Sequence, residues 1–352
     1  MIMKNLREID VKDKTVLVRV DYNVPLDDNG EILNDFRLKA SVPTIHYLID
    51  HGASRIILIS HLGRPNGERD AKLSTEILVQ ELANLVGRPI RFISECVGED
   101  VTAGINTLPE KGIALLENLR FYPGEEKNDM DFARRIVETT GATVFVQDAF
   151  AVLHREAASI ICLPKILEPC VGLLVERELT ALSEIYDGNL EKPFVLLIGG
   201  SKVEDKTPII DLLKNRVDKI LVGGKIAADG YESDVDNVYV AEDFEEQDGK
   251  KLDIGPKSLE KFILELGSAR TVVWNGNLGK TEDSRFEKAS REVAEFLGNS
   301  SAKTMILGGN TTGYVLNLAE NNKVLRYDFI STGGSASLRF LTDGTLPGLE
   351  VI

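Results

Sequence analysis

Residues 15–25 read TVLVRVDYNVP, and residues 55–65 read RIILISHLGRP. Each stretch opens with a short and almost continuously apolar run, which is typical of parallel strands that are buried on both faces of a sheet. Amphipathic helical periods lie between such runs, for example at 74–86 and 129–140. This alternation predicts an α/β fold with mainly parallel sheets. The further strand-like runs lie at 113–117, 143–147, 194–198, 219–223, 238–241, 271–274 and 304–307.

The number of strands and the length of the chain both predict two domains. So many strands would make a large single sheet, and 352 residues correspond to two domains at about 150 residues each. Residues 172–187 read as a helix, and the stretch 241–253 reads as an acidic, solvent-exposed loop. We expect an N-terminal domain at 1–172, an interdomain helix at 173–190, a C-terminal domain at 191–335 and a C-terminal segment at 336–352 that packs back on the first domain.

Composition and charge exclude several classes of protein. Hydrophobic residues make up 43% and charged residues 28% of the chain, which excludes intrinsic disorder. The net charge of −15 makes nucleic acid and anionic membranes unfavourable partners, and we expect neither. No apolar run approaches the roughly 18 residues of a membrane span. The charged N-terminus and the three cysteines, which form no CxxC pair, predict a cytoplasmic protein with reduced thiols.

The strand ends of the first half carry polar and basic side chains. A single arginine at such a position more often forms a surface ion pair. Here, however, these residues follow four successive strands, and ligands of parallel α/β domains bind beyond the carboxyl ends of the strands. Because the chain as a whole is acidic, the pattern predicts a local site for phosphate and carboxylate groups. The residues are Asp21, Asn23, Arg37, His61, Arg64, Arg120, His154 and Arg155.

The strand ends of the second half are rich in glycine instead. Glycines before helix N-termini expose backbone N–H groups that bind phosphates, so five such turns predict a nucleotide-binding domain. The spacing from Gly276 to Gly279 is too short for a Walker A loop, and no GxGxxG motif is present. The turns are GGSKVEDKT at 199–207, GGK at 223–225, NGNLGKTED at 275–283, GGNTTG at 308–313 and STGGS at 331–335.

These motifs follow one another in a characteristic order. The order is RVDYNVP, SHLGRP, LLENLRFYPGEE, QDAF followed by HR, GGSKVEDK, DIGPK, VWNG and STGG. The chain therefore resembles the phosphoglycerate kinase family over nearly its whole length, and the archaeal members in detail. The resemblance implies two Rossmann-like domains with parallel sheets, joined by a helix that acts as a hinge. It also implies reversible phosphoryl transfer between 1,3-bisphosphoglycerate and MgADP, which gives 3-phosphoglycerate and MgATP.

The resemblance further implies roles for particular residues. The segment with Asp253 and Lys257 would close over the nucleotide, and hinge closure around 172–190 would bring the two ligands together. The transferred phosphoryl group would be assisted by Arg37, Lys202, Gly309 and Gly333. The acid-phosphate site would comprise Asp21, Asn23, Arg37, His61, Arg64, Arg120 and Arg155. The nucleotide site, with Mg²⁺ as cofactor, would comprise Gly200, Lys202, Lys206, Gly223, Glu282, Gly308, Gly309, Asn310 and Thr311.

The second half departs from the family pattern in three places, whereas the first half keeps every expected ligand. Asn310 stands where relatives commonly have a magnesium-binding aspartate, and a neutral amide is a weaker ligand for a hard cation. The segment between GGKIAADGYESD and VYVAEDF lacks a helix and a strand that most relatives carry near the adenine pocket. NGNLG replaces NGPMG, and Arg339 stands where relatives usually have glutamate.

These departures leave two functions of different classes open. The first is a working phosphoglycerate kinase, or a kinase for a related phosphorylated acid. The second is a binding or regulatory protein that keeps the acid-phosphate site and has altered or lost nucleotide-dependent transfer. Lys202, Lys206, Asp253 and Glu282 favour the enzyme, because a binding protein has no use for them. The shortened nucleotide half favours the binding protein.

Overall fold

The computed structural model describes residues 3–200 and 206–352 of the chain. It divides into two compact units, of which the first comprises Met1–Leu179 and Thr345–Ile352 and the second comprises Thr180–Gly344. Each unit contains a six-stranded parallel sheet, which confirms the predicted fold class. The predicted domain boundaries stay predictions. The division after Leu179 falls inside the predicted interdomain helix at 173–190. Of the C-terminal segment predicted at 336–352, residues 345–352 belong to the first unit and the rest belong to the second.

The first unit is a parallel sheet with helices between its strands. The strands lie in the order β3-β4-β2-β1-β5-β6, where β1 is Thr15–Val20, β2 Arg55–Ile59, β3 Ile90–Ile93, β4 Gly112–Leu116, β5 Val144–Asp148 and β6 Glu168–Val171. The helices are α1 (Phe36–Asp50), α2 (Val79–Val86), α3 (Glu99–Asn106), α4 (Pro123–Glu126), α5 (Met130–Thr140), α6 (Leu163–Ile166) and α7 (Leu173–Asp187), the last of which continues into the second unit. Asp129 caps α5, because its carboxylate accepts hydrogen bonds from the N–H groups of Asp131 and Phe132.

Alternate residues of the same strand enter two separate cores. Val16 and Val18 of β1 pack with Leu38 and Ile45 of α1 in one core, whereas Leu17 packs in the other core with Ile136 of α5. Each fully buried side chain of this kind stabilises the fold by about 1.5–3 kcal/mol. The strand must therefore be apolar at consecutive positions, which explains the continuous runs in the sequence.

The second unit repeats this architecture. Its sheet has the order β14-β13-β12-β7-β8-β9, with β7 at Phe194–Ile198, β8 at Lys219–Val222, β9 at Val238–Val240, β12 at Thr271–Asn275, β13 at Lys303–Leu307 and β14 at Phe329–Ile330. A separate antiparallel hairpin consists of β10 (Phe244–Gln247) and β11 (Lys250–Ile254). The helices are α8 (Thr207–Leu213), α9 (Gly224–Ala228), α10 (Pro256–Gly267), α11 (Lys288–Gly298), α12 (Gly309–Asn321) and α13 (Ser335–Asp343).

The prediction of an acidic loop at 241–253 is wrong, because most of this stretch forms the hairpin. Two of its carboxylates have structural partners. Asp243 accepts hydrogen bonds from the N–H groups of Lys257 (3.0 Å) and Ser258 (2.8 Å) and so caps α10. Asp253 is buried and accepts a hydrogen bond from the N–H of Ala289 (3.0 Å) at the start of α11. The acidic residues that suggested a solvated loop therefore serve partly as helix caps.

The sequence prediction also missed β3, β6 and β14. All three are edge strands of their sheets. β3 exposes Arg91, and β6 begins with an exposed Glu168 followed by Pro169, so neither has the continuous apolar run of a central strand. Edge strands tolerate charges and proline because one side of the strand forms no ladder. Within the described part of the chain, no helix combines the length and the hydrophobicity that crossing a bilayer requires.

Candidate functional site

The candidate anion site lies at the carboxyl edge of the first sheet. β1, β2 and β5 are neighbours and parallel, so the residues that follow them meet at one edge. Asp21 follows β1 and His61 follows β2, and the two side chains are close, with 3.9 Å between His61 Nδ1 and Asp21 Oδ1. Arg37 at the start of α1 donates a hydrogen bond to the other oxygen of Asp21. These three predicted residues therefore form one cluster.

Asn23 and Arg120 hold the loop that carries Arg64. The side-chain oxygen of Asn23 accepts a hydrogen bond from the N–H of Gly63 (2.9 Å). Nη1 of Arg120 donates to the carbonyl oxygen of the same glycine (2.6 Å). Arg64 itself is exposed and has no hydrogen bond or ion pair to another described residue. The loop is fixed at its base while the Arg64 guanidinium is available to a ligand.

Sequence reasoning missed Arg19, which lies within β1 and is 2% exposed. Its guanidinium is 3.2 Å from Nδ1 of His61 and donates to the hydroxyl of Ser159 (2.9 Å). Burial lowers its pKa to about 10, so it stays charged at neutral pH. The signal in the sequence was a charged residue inside an otherwise apolar strand, TVLVRV.

His61 is neutral at physiological pH. It is buried, and burial together with the positive charges around it lowers its pKa well below the usual value. The charges come, in decreasing order of effect, from Arg19, Arg120, Arg37 and Arg155. Four guanidinium groups thus act on one buried imidazole. This electropositive edge, within an acidic protein, suits an anion with more than one negative charge.

A cavity of about 270 Å³ opens beside this cluster. Its charged lining consists of three arginines and three glutamates, namely Arg19, Arg120, Arg155, Glu125, Glu126 and Glu156. Arg120 is 3.4 Å from Glu126, and its pKa is lowered to about 10 by burial and by the neighbouring Arg155 and Arg19. Arg155 is exposed and has no ion-pair partner among the described residues. Arg155 can therefore bind an external anion at little cost in existing contacts.

The glycine turns of the second unit lie at the carboxyl edge of its sheet. β7 and β12 are adjacent and parallel, and Gly199 and Gly276 directly follow them. A Cβ at Gly276 would overlap the carbonyl oxygen of Gly199, and a Cβ at Gly199 would overlap that of Gly276. Gly276 also has φ of +104°, which an L side chain rarely adopts. The two loops therefore approach each other as closely as only glycine permits, and a side chain at either position would push them apart.

Lys206 and Asn275 form the polar floor of this edge. Nζ of Lys206 donates to the side-chain oxygen of Asn275, and both residues are buried. The amide nitrogen of Asn275 has no hydrogen-bond partner among the described residues, and Asn275 was not among the predicted ligands. This buried N–H donor lies next to Gly308 and is suited to bind an anionic ligand group. Lys202, predicted for the same place, lies outside the described residues.

The remaining predicted nucleotide ligands have different environments. Thr311 is buried, and its hydroxyl accepts a hydrogen bond from the N–H of Gly276 (2.9 Å), so it supports the glycine turn. Asn310 and Gly309 are exposed at the first turn of α12, and Gly308 with φ of +89° precedes them. Three more predicted residues occupy similar turns: Gly200 lies two residues after β7, Gly223 directly follows β8, and Gly333 precedes α13. Glu282 is exposed, and so is Lys257.

Asp253 has structural partners in the second unit. Its oxygens accept hydrogen bonds from the N–H groups of Ile254 (2.9 Å) and Ala289 (3.0 Å), and burial raises its pKa to about 6. A Cβ at Gly279 would overlap the Asp253 carboxylate. These contacts tie the hairpin to α11 and to the loop after β12. The role implied by resemblance, closure over a nucleotide, stays a prediction.

The described residues contain no cluster of three acidic, histidine or cysteine side chains that would hold a metal on their own. Magnesium in kinases commonly needs only one or two protein ligands, because nucleotide phosphates and waters complete its octahedron. The exposed amide oxygen of Asn310 at the start of α12 fits that requirement. The three cysteines are free and buried, in line with the predicted reduced thiols.

An arginine-rich anion site on one parallel-sheet unit and a glycine-rich turn cluster on another define a two-domain phosphotransferase. A family model described as phosphoglycerate kinase matches residues 6–229 and 227–344. The chain belongs to the phosphoglycerate kinase family, as its motifs predicted.

Named relatives and solved structures agree with this assignment. Proteins named phosphoglycerate kinase from Coprothermobacter proteolyticus and Aquifex aeolicus are 37% and 38% identical to this chain. The alignments cover 99% and 98% of this chain and 98% and 97% of those proteins. The crystal structure of phosphoglycerate kinase from Pyrococcus horikoshii OT3 matches with a TM-score of 0.86 at 27% identity, over 99% of this chain and 98% of that one. The enzyme from Coxiella burnetii matches with a TM-score of 0.77 at 28% identity and the same coverage.

The comparisons also locate the shortening of the second unit. The alignment with the Coprothermobacter protein runs over 393 positions, whereas this chain has 352 residues, so that relative has segments that this chain lacks. The two segments of the family match meet at residues 227–229, at the end of the short helix α9. The motifs predicted the gap a few residues further along the chain, between residues 234 and 238.

Proposed function

We propose that this chain catalyses the reversible transfer of a phosphoryl group between 1,3-bisphosphoglycerate and ADP, giving 3-phosphoglycerate and ATP. The observation that carries the proposal is the convergence of four arginines on His61 at the edge of the first sheet. Such a cluster suits a small ligand that has both a phosphate and a carboxylate. Its location after parallel strands is the usual one for ligands of this fold.

On this proposal the anion site divides between fixed and available groups. Asp21 orients Arg37, because its buried carboxylate accepts a hydrogen bond from that guanidinium. Arg64 and Arg155 are exposed and would bind the phosphate and carboxylate groups of the acid. Arg37 would stabilise the charge on the transferring phosphoryl group, since phosphoryl transfer depends mainly on positioning and on electrostatic stabilisation.

The nucleotide phosphates would bind at the glycine edge of the second unit. The N–H groups at the start of α12, behind Gly308, would face the phosphates, and Lys206 with Asn275 would lie beneath them. Mg²⁺, held by Asn310 and the phosphates, would neutralise part of their charge when bound. Because the two sites belong to separate units, transfer requires hinge closure that aligns the ligands and excludes water.

The partners and the location follow from the same observations. We infer 3-phosphoglycerate or 1,3-bisphosphoglycerate and ATP or ADP as ligands, and neither nucleic acid nor membrane at a net charge of −15. Three free buried cysteines favour a reducing compartment, the cytoplasm.

The shortening near 227–229 favours a second candidate, a protein that binds the phosphorylated acid without transferring phosphate. Calorimetric titrations distinguish the two. The kinase binds both 3-phosphoglycerate and MgADP, and substituting Arg155→Ala weakens only the binding of the acid. Binding of 3-phosphoglycerate without any binding of MgADP or MgATP would support the second candidate, and binding of neither would refute both.

A further inference from the structure

A chain of buried hydrogen bonds leads away from the anion site into the first unit. The Ser159 hydroxyl accepts a hydrogen bond from Nε of Arg19 (2.9 Å) and donates one to Oε1 of Glu125 (2.6 Å). The N–H of Ser159 donates to the second oxygen of Glu125 (2.9 Å). None of the three side chains is more than 2% exposed. Glu125, Ser159 and Arg19 are called the relay below.

A π-helical turn at Ala158–Cys162 gives Ser159 both of its contacts with Glu125. Amides in the first turn of a helix have no partner within that helix, so the Ser159 N–H is available to a carboxylate. The charge of Glu125 also offsets that of Arg19, whose Nη2 is 3.9 Å from Oε1. A buried guanidinium with this many partners is held in one orientation.

The relay ends on His61. Nη2 of Arg19 is 3.2 Å from Nδ1 of the imidazole. A guanidinium has donors only, so Nδ1 must be the acceptor and carries no proton. A neutral imidazole with an unprotonated Nδ1 has its proton on Nε2. The position of Arg19 therefore selects one of the two tautomers of His61.

The other tautomer has a competing partner close by. Asp21 Oδ1 lies 3.9 Å from the same Nδ1 and would accept a hydrogen bond from a protonated Nδ1 if the ring moved slightly. At present Asp21 accepts hydrogen bonds from Arg37 and from the N–H of Asn23. If Arg19 withdrew, Nδ1 would carry the proton and donate a hydrogen bond to Asp21. Nε2 would then be unprotonated, and its lone pair would repel a bound anion.

We propose that Ser159 and Glu125 are positioning residues of the anion site, which hold Arg19 against Nδ1 of His61 so that the neutral imidazole donates its Nε2–H to the bound acid. The assignment of the acid rests on the proposed function, whereas the tautomer itself does not. The low pKa of His61 supports the neutral form. The relay thus supplies an oriented neutral donor within a cluster of fixed positive charges.

Nitrogen NMR of the full chain tests the tautomer directly. The histidine ring nitrogens of the ¹⁵N-labelled protein are recorded at pH 7, and the His61 signals are assigned by their loss in His61→Gln. The wild type is expected to show Nε2 protonated and Nδ1 unprotonated. Ser159→Ala is expected to shift the signals towards the Nδ1–H tautomer, and Glu125→Gln, which retains one acceptor oxygen, to shift them less.

Ser41→Ala is the matched control, because it removes another buried hydroxyl of the same unit, bonded to Tyr22 and to the carbonyl of Leu38. It is expected to leave the His61 signals unchanged. A wild-type spectrum with Nδ1–H would overturn the proposal without any variant. So would an Nε2–H tautomer that persists unchanged in both Ser159→Ala and Glu125→Gln.

Kinetics test the consequence for substrate. Ser159→Ala is expected to raise KM for 3-phosphoglycerate about tenfold, which is the order expected for a lost hydrogen bond to a charged group. KM for ATP stays unchanged, and Ser41→Ala leaves both constants unchanged. Equal changes in both KM values would indicate a general structural defect and contradict the positioning role. If the wild type does not phosphorylate 3-phosphoglycerate, the proposed function fails while the spectra still decide the tautomer.

Discussion

The substitution Arg37→Ala gives the most demanding test of the roles assigned in the anion site. Arg37 begins α1 and pairs with Asp21, whose side chain is 6% exposed. If its guanidinium stabilises the transferring phosphoryl group, its loss is expected to lower kcat about 10²–10³-fold, or about 2.7–4 kcal/mol in the activation barrier. Arg37→Lys retains the charge but not the planar fork, so its kcat is expected to lie between those of the wild type and the alanine variant.

The same substitution has a separate effect on stability. Without Arg37, the N–H of Asn23 (3.1 Å) is the one hydrogen-bond donor to the Asp21 carboxylate that remains among the described residues. A poorly satisfied buried acceptor costs about 1–3 kcal/mol in the free energy of unfolding. Urea unfolding measures this loss, and turnover measured well below the unfolding transition separates it from the rate effect.

Arg135→Ala serves as the control for Arg37→Ala, since Arg135 is an exposed residue of α5 in the same unit. We expect it to change neither turnover nor stability measurably. Near-normal kcat in Arg37→Ala, at saturating concentrations of both substrates, would refute the role of Arg37 in transfer. A loss confined to KM would reduce its role to binding of the acid.

Three further predictions concern buried acid chemistry, the glycine edge and the metal. Burial raises the pKa of Asp148 to about 7. The folded state therefore retains a proton that the unfolded state loses near pH 4. Because of this difference, the free energy of unfolding falls as pH rises from about 4 to about 7. Asp148→Asn is expected to flatten this dependence in urea unfolding from pH 5 to 8; an unchanged slope would contradict the assignment. Gly276→Ala is expected to cost more than about 2 kcal/mol and to abolish MgADP binding, because its Cβ would overlap the Gly199 carbonyl oxygen. Gly313→Ala, with nothing within 4 Å of its Cβ, is expected to keep or raise the melting temperature, and equal losses in both variants would refute the steric argument. Asn310→Asp is expected to lower the Mg²⁺ concentration at half-maximal activity, because a carboxylate is the better ligand for a hard cation; an unchanged midpoint would mean that Asn310 does not touch the metal.

The parts of the fold that were predictable are those with strong local patterns. Central strands such as Phe194–Ile198 are buried on both faces, so their apolar runs are visible in the sequence. The edge strand Glu168–Val171 lacks this pattern, because it has one free side and begins with a charge and a proline. The hairpin of residues 244–254 was missed because helix-capping carboxylates and solvated carboxylates look alike in a sequence.

The candidate site was predictable where motifs mark loops and not where the chemistry depends on burial. Arg37 and Arg120 follow strands, where a ligand is expected, and the structure places both within the cluster around His61. Arg19 lies inside a strand, and only its depth and its contact with His61 reveal its importance. The neutral state of His61 likewise depends on four charges that converge from distant parts of the chain.

The most direct test of the central claim is ATP-dependent phosphorylation of 3-phosphoglycerate by the purified chain. The product is detected by coupling to glyceraldehyde-phosphate dehydrogenase and NADH, and an Arg37→Ala preparation accounts for contaminating host enzyme. Turnover of about 1–100 per second, as in other kinases, is the predicted result and would mean that the shortened second unit supports catalysis. Absence of turnover in a protein that still binds 3-phosphoglycerate by calorimetry would contradict the claim and identify the chain as a binding protein.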